Sequence, residues 1–165
     1  MKAKLEIKCG YSANNDLKVG IYKPSDVVSG LENSVVLKKI FGEKMLKEIL
    51  ESWIIEINNK SWEIWVDQER KLVNINKKYL RCSDCRVLYL DLVHELVHFK
   101  QMLDGKDLFD SKYCYVDRPT ELEAYRLTVE EAEHIGMTRE EIVEYLRVDW
   151  ISDDDHKKLV ECLLG

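Results

Sequence analysis

The chain has 165 residues, of which 45% are hydrophobic, and its formal net charge at pH 7 is −6. That length suits one hydrophobic core and is short for two, so we expect a single domain over residues 1–165. The negative net charge argues against a nucleic-acid-binding function. No apolar run approaches the length of a membrane span.

Two features of the sequence predict a cytoplasmic protein. Residues 1–8 are charged and lack the apolar core of a signal peptide. The five cysteines are an odd number, which fits a reducing compartment better than a disulfide framework. We therefore expect a cytoplasmic location without a membrane partner, and the sequence does not indicate an oligomeric state.

Residues 1–80 are predicted to form mainly a small sheet. Short runs that alternate apolar and polar residues indicate β-strands. The pattern places them at residues 4–8, 17–22, 53–57, 62–67 and 71–76. Between the second and third strands we expect two helices, at residues 34–40 and 43–51, with Gly42 separating them.

Residues 81–165 are predicted to be mainly helical. A long apolar helix begins with Ser83 or Asp84 as its N-cap and runs to about residue 103. A polar loop follows at residues 104–118. Three further helices are predicted, at residues 120–135, after Thr138 and after Ser152. Strands followed by helices without a repeating order indicate an α+β fold.

The long helix carries the sequence His94-Glu95-Leu96-Val97-His98. Helical residues four apart lie one turn apart on nearly the same face, so the two imidazoles can bind one metal ion. Glu95 lies beside them, where a general base for water activation is needed. The surrounding helix is apolar enough to be buried, and a metal would supply partners for these polar groups. The alternative is a pair of hydrogen-bonded core histidines beside a surface glutamate.

A catalytic zinc ion needs a third protein ligand and one position left for water. Asp104 follows His98 by six residues, as the third ligand does in the metzincins. Gln101, however, stands where that pattern has a glycine. A helix that continued would carry Asp104 about 9 Å beyond His98 along its axis. We therefore favour a ligand from a later segment.

A second motif, Glu121-Leu122-Glu123-Ala124, occurs in the next predicted helix. An HExxH motif followed by Glu-x-x-Ala resembles the gluzincins, a group of zinc metallopeptidases with a zincin fold. The resemblance covers residues 84–135 and leaves the first 80 residues unmatched. It implies a zincin-like fold, zinc as the cofactor and Glu95 as the general base. It also implies three zinc ligands, namely His94, His98 and Glu121.

The second motif leaves two points open. Glu123 is an alternative third ligand, although Thr120 and Glu123 have the spacing of a helix capping box. Several gluzincin branches carry an acid four residues after the ligand Glu, which supports a zinc-bound histidine. Tyr125 occupies that position here. The supporting role therefore passes to Asp91, to Asp117 or to a backbone carbonyl.

A peptidase of this kind also needs a donor that stabilises the oxyanion of the transition state. The candidates are Tyr113, Tyr115, Arg118 and Arg126. We favour Tyr115 and Arg118 because both lie in the loop just before the second helix. The expected partner is a peptide or protein substrate, which in zincins pairs with an edge strand of the sheet. We expect that edge within residues 62–76.

Two further interpretations remain. Cys82 and Cys85 form a lone CxxC motif, which fits a redox pair, half of a structural zinc site completed by Cys114 and Cys9, or two buried thiols. We favour buried thiols because the sequence has no second CxxC. The alternative to a peptidase is a non-catalytic or latent zinc-binding protein whose cleft binds a protein partner.

Overall fold

The computed structural model describes residues 12–165. The strand expected at residues 4–8 and Cys9 lie outside this range. Within residues 12–165 the chain forms one four-stranded sheet and eight α-helices, with helices predominating after the last strand. The predicted α+β class is therefore confirmed.

The first half of the described chain contains all of the strands. They are β1 (Gly20–Tyr22), β2 (Ile55–Asn58), β3 (Ile64–Asp67) and β4 (Leu72–Asn76). Three helices separate the first two strands, namely α1 (Pro24–Val27), α2 (Val35–Phe41) and α3 (Glu43–Ser52). Gly42 ends α2 with a φ of +75°, a value that glycine adopts readily. Gly42 therefore separates the two helices as the sequence predicted.

The strands lie in the order β1-β2-β4-β3. β2 is parallel to β4 and antiparallel to β1, whereas β3 and β4 pair antiparallel. The segment after β2 therefore does not form the tight hairpin that consecutive strands would suggest, because β4 lies between β2 and β3. Of the predicted edge at residues 62–76, only β3 is a terminal strand. β4 is hydrogen-bonded on both sides.

The second half of the described chain is helical. Its elements are α4 (Lys77–Cys82), α5 (Cys85–Leu103), α6 (Pro119–His134), α7 (Arg139–Tyr145) and α8 (Asp153–Leu164). Asp84 is the N-cap of α5, and its carboxylate accepts a hydrogen bond from the Arg86 amide. The sequence analysis missed α4, in which the Asn76 side chain caps the first turn.

The capping box predicted for Thr120 and Glu123 is wrong. α6 begins one residue earlier, at Pro119, with Arg118 as its N-cap. Proline suits the first helical position because it has no N–H to satisfy and its φ is already helical. Within residues 12–165, the Thr120 hydroxyl has no hydrogen-bond partner, and the Glu123 carboxylate instead accepts hydrogen bonds from Gln101 and Lys106.

α5 is the central helix of the fold. It packs against α6, α2 and β3, and most of its side chains are buried. Leu88, Leu92 and Leu96 are fully enclosed, and they hold one face of α5 in the core. Among the described residues, no helix combines the length and apolar character that crossing a membrane requires.

Truncation of one α5 core residue tests this arrangement. We expect Leu92→Ala to lower the free energy of unfolding by about 2–5 kcal/mol, because it removes buried contacts and leaves a cavity. Leu103→Ala is the matched control, since Leu103 ends the same helix and is 55% exposed. We expect the control to change stability by less than about 0.5 kcal/mol. Urea denaturation measures both changes, and equal losses would contradict the central position of α5.

Candidate metal centre

Three side chains that are far apart in the sequence meet between α5 and α6. Nε2 of His94 and Nε2 of His98 each lie 3.3 Å from the same oxygen, Oε2 of Glu121. All three side chains are buried, and their ligand atoms lie within 4.8 Å of one another. We call His94, His98 and Glu121 the HHE cluster. It can hold a metal ion.

The spacing of the HHE cluster fits a shared ion. Two ligands bound tetrahedrally at about 2.0–2.1 Å are separated by about 3.4 Å. The observed distances of 3.3 Å from each histidine Nε2 to Glu121 Oε2 are close to that separation. Imidazole nitrogen and carboxylate oxygen are both common ligands of divalent transition metals. The three side chains therefore fit a metal in donor type and in spacing.

Neighbouring groups orient both imidazoles with Nε2 towards the centre of the cluster. Nδ1 of His98 donates to Oε1 of Gln101 at 2.8 Å. Nδ1 of His94 faces Oγ1 of Thr128 at 3.5 Å, and Thr128 itself donates to the Ala124 carbonyl. A proton on each Nδ1 leaves the Nε2 lone pair free for a metal.

The residues that we expected to support the histidines contact other side chains instead. Asp91 accepts hydrogen bonds from the hydroxyls of Tyr79 and Tyr145. Asp117 forms an ion pair with Lys158. The ring of Tyr125 lies against His94, with centroids 4.5 Å apart.

Gln101 and Thr128 take the supporting role instead, and sequence reasoning missed both. Gln101 is only 2% exposed, and its amide nitrogen donates to the Thr120 carbonyl at 2.9 Å and to Glu123 at 2.7 Å. One side chain thus connects a histidine of α5 to the first turn of α6. A glutamine three residues after the second histidine was a usable signal, because positions i and i+3 are neighbours on a helix.

The other proposed third ligands are not in the cluster. Asp104 lies past the end of α5 and forms an ion pair with Lys100 at 2.6 Å. The helix continues to Leu103, so the backbone does not turn back towards His98. Glu123 is 44% exposed at its side chain and pairs with Lys106. Among the described residues, Glu121 alone joins the two histidines as a group that can hold a metal.

The HHE cluster opens into a cavity of about 580 Å³, which we call the cleft. Glu95 lines this cleft beside the cluster and is itself buried. The remaining wall comes from β3, from the loop between α5 and α6 and from residues 145–150. Of the predicted oxyanion donors, Tyr115 and Arg118 line the cleft, as does Tyr125, whose hydroxyl lies 2.8 Å from that of Tyr115. Tyr113 and Arg126 do not line it.

Burial and mutual contact set the charges at the centre. Burial raises the pKa of Glu121, but hydrogen bonds from His94 and His98 outweigh it and hold that pKa well below its usual range. Burial lowers the pKa of His98, but its contact with Glu121 outweighs burial and raises the pKa to about 9. Burial keeps the pKa of His94 below its usual value. Burial raises the pKa of Glu95 to about 7.

The described cysteines do not form a metal site. Cys82, Cys114 and Cys162 are exposed and Cys85 is partly buried, and none of the four forms a disulfide. Cys82 is thus not the buried thiol that we expected. Burial, with a contribution from Asp84, raises the pKa of Cys85, which is the opposite of what a reactive redox thiol needs. No group of cysteines within residues 12–165 is arranged to hold a metal.

Comparison with known proteins does not identify a relative. No protein-family model, no curated protein and no solved structure matches the chain.

The choice between Glu121 and Glu123 can be tested by metal uptake. We expect Glu121→Gln to weaken divalent metal binding by more than about a hundredfold, which exceeds the usual effect of a residue that only supports a ligand. Glu123→Gln, the matched control two residues away, should retain one metal per chain. Elemental mass spectrometry after dialysis measures the stoichiometry. Metal retained by the first variant and lost by the second would reverse the assignment.

A second test concerns the proton on His98. In the metal-free protein we expect this imidazole to titrate near pH 9, because the Glu121 carboxylate stabilises its charged form. Glu121→Gln removes that charge, so burial should dominate and bring the midpoint below about 6.5. NMR titration of the imidazole resonances measures the His98 midpoint in both proteins. A midpoint that stays the same in both proteins would show that Glu121 does not contact His98.

Proposed function

We propose that this protein is a zinc-dependent metallopeptidase with a zincin-like fold, in which the HHE cluster binds zinc and Glu95 is the general base. One observation carries the proposal. Two helices that are separated by a 15-residue loop bring two imidazoles and a carboxylate together, at the inner wall of a cleft that Glu95 also lines. An HExxH motif with a distant glutamate resembles the pattern of the gluzincins, and the proximity of the two histidines to Glu121 supports this proposal.

The donor set and the neighbouring space favour a catalytic zinc ion over a structural one. Catalytic zinc sites use three protein ligands and leave a position for water, whereas structural sites are closed by four. The HHE cluster supplies three ligands within residues 12–165, and it opens into the cleft. A structural zinc ion would also not need a general base, whereas Glu95 places a buried carboxylate beside the cluster.

Glu95 would perform the proton transfers of peptide hydrolysis. His94, His98 and Glu121 would hold the zinc ion, which when bound would make water in the cleft more acidic and the substrate carbonyl more electrophilic. The Glu95 carboxylate accepts the proton of the attacking water and delivers it to the nitrogen of the leaving amine. Its buried position keeps the carboxylate poorly solvated, which makes it a stronger base than an exposed glutamate.

The oxyanion that develops on the substrate carbonyl needs a further donor. Tyr115 and Arg118, which the sequence analysis favoured, both line the cleft. The Tyr115 hydroxyl is paired with that of Tyr125 at 2.8 Å. This pair retains a second hydroxyl proton that can be donated to a substrate, because a single hydrogen bond between two phenols uses only one of their protons.

The shape of the cleft supports a peptide as the substrate. Among the described residues β3 is a terminal strand, and it lines the cleft, so its outer edge could pair with an extended chain. Large aromatic side chains that are partly exposed line the same cleft, namely Trp62, Phe109 and Trp150. Such rings provide apolar contact area for substrate side chains. We further propose a cytoplasmic location, in keeping with the free thiols of the described cysteines.

Glu95→Gln tests the proposal, because glutamine keeps the shape of the side chain but cannot accept the proton. We expect kcat for peptide hydrolysis to fall by about 10²–10⁴-fold while one zinc per chain is retained. Glu130→Gln is the control, because Glu130 is on α6 but pairs with Lys39 and does not line the cleft, and it should leave both unchanged. Cleavage that survives Glu95→Gln would contradict the proposal. Zinc uptake without hydrolysis by the wild-type protein would instead indicate a non-catalytic zinc-binding protein.

A further inference from the structure

We propose that Arg118 binds a carboxylate of the substrate next to the cleaved bond. This inference rests on the proposed peptidase function and concerns which peptides the cleft prefers. Arg118 is mostly buried and lines the cleft, and its Nε has no hydrogen-bond partner among the described residues. We therefore assign Arg118 to substrate recognition and leave Tyr115 as the predicted oxyanion donor.

The guanidinium of Arg118 lacks the partners that a buried cation normally has. Its side chain is only 16% exposed, and its Nε is buried without a hydrogen-bond partner within residues 12–165. The nearest acid is Glu121, whose Oε1 lies 3.9 Å from Nη1, which is beyond hydrogen-bonding distance. Its other contact is the ring of Tyr115, with 6.0 Å between Cζ and the centroid. Arginine carries five N–H donors, and leaving the buried Nε–H without a partner is costly.

Arg147 provides a comparison, because it is an arginine of the same cleft with acidic partners in the protein. It also lines the cavity, but it is 51% exposed. Its guanidinium contacts Asp153 at 2.9 Å and Glu144 at 3.8 Å. Arg147 is therefore solvated and paired by the protein itself. Arg118 is much less exposed, and its nearest acid, at 3.9 Å, is beyond hydrogen-bonding distance, so an incoming carboxylate can form the hydrogen bonds that Asp153 forms with Arg147.

The other acids of the cleft are not available to Arg118. Asp91 accepts hydrogen bonds from two tyrosines. Glu63 and Asp149 lie close enough to repel each other, and neither pairs with Arg118. Oε2 of Glu121 faces the two histidines, and its Oε1 stays 3.9 Å from Arg118, too far for a hydrogen bond. An incoming carboxylate would therefore meet a guanidinium whose nearest acid, Glu121, is 3.9 Å away, and within residues 12–165 it would displace no side-chain hydrogen bond of Arg118.

The position of Arg118 determines where on the substrate that carboxylate lies. Because Arg118 is 3.9 Å from a member of the HHE cluster, its ligand must belong to a residue close to the reacting bond. A peptide offers a carboxylate there in two ways, as its C-terminus or as an Asp or Glu side chain. Both would form the paired, charge-assisted hydrogen bonds that guanidinium groups make with carboxylates. The shared chemistry is a carboxylate within about one or two residues of the cleaved bond.

Binding to the inactive protein tests the inference directly. Zinc-loaded Glu95→Gln protein would be titrated by calorimetry with three acetylated pentapeptides. One has uncharged side chains and a free C-terminus, one is its C-terminal amide, and one is the amide with a single Glu. We expect a carboxylate-bearing peptide to bind about 10- to 100-fold more tightly than the uncharged amide. The free acid or the Glu peptide, whichever binds more tightly, identifies the source. Equal binding of all three would overturn the inference.

Substitution of the two cleft arginines assigns the effect to one residue. In the same Glu95→Gln background, Arg118→Met should abolish the preference for the carboxylate, whereas Arg147→Met, the matched control, should retain it. Arg118→Lys keeps the charge but loses the paired geometry, so it should retain only part of the preference. It also provides a test if the methionine variant does not fold. A preference unchanged by Arg118→Met and Arg118→Lys would refute the role of Arg118.

Kinetics of the zinc-loaded active protein separates this role from oxyanion stabilisation. If Arg118 anchors the substrate, Arg118→Met raises KM by a much larger factor for the carboxylate peptide than for the amide peptide. An equal fall of kcat for both peptides would show an oxyanion role and overturn the inference. Failure of the proposed function looks different, because no peptide would then be hydrolysed by the wild-type protein, whatever the binding measurements show.

Discussion

The burial of two histidines and a glutamate between α5 and α6 is the constraint on which the rest of this structure depends. Polar groups enclosed in this way are stable only if each has a partner. Without a metal, the Glu121 carboxylate faces both imidazoles at 3.3 Å and balances the charge on His98. With a metal, the same atoms become its ligands. Either state requires α6 to cross α5 at one place and in one rotation.

Several local features maintain that crossing. Pro119 begins α6 directly after Arg118, which fixes where Glu121 falls in the first turn. Ala124, three residues after Glu121 in α6, is completely buried, and its small side chain allows the helices to approach closely. Gln101 then connects the second histidine of α5 to the start of α6. The HHE cluster and the side chains that orient it thus depend on the same helix contact.

The sequence predicted those parts of the site that lie on one helix. His94 and His98 share a face because of helical periodicity, so their pairing followed from spacing alone. The choice of Glu121 over Glu123 needed the resemblance to a family, because both residues lie in the same turn. Thr128 as a partner of His94 was not predictable, since it depends on how α6 is rotated against α5.

The fold was predicted to a similar extent. Element types followed from periodicity, whereas the order of the strands did not. β4 pairs with β2 in the sheet, although β3 lies between these two strands in the sequence. The predicted capping box at Thr120 failed because Pro119 one residue earlier is the stronger helix-start signal. Long-range pairing and competition between neighbouring local signals are what a reading of one sequence leaves undetermined.

X-ray absorption at the zinc edge of the zinc-loaded protein would show whether the HHE cluster binds zinc. We expect one zinc ion per chain with two imidazole ligands and oxygen ligands at about 2.0–2.2 Å. Zinc–sulfur scattering at about 2.3 Å would place the ion on cysteines instead. That result, or a protein that takes up no zinc at all, would contradict the account.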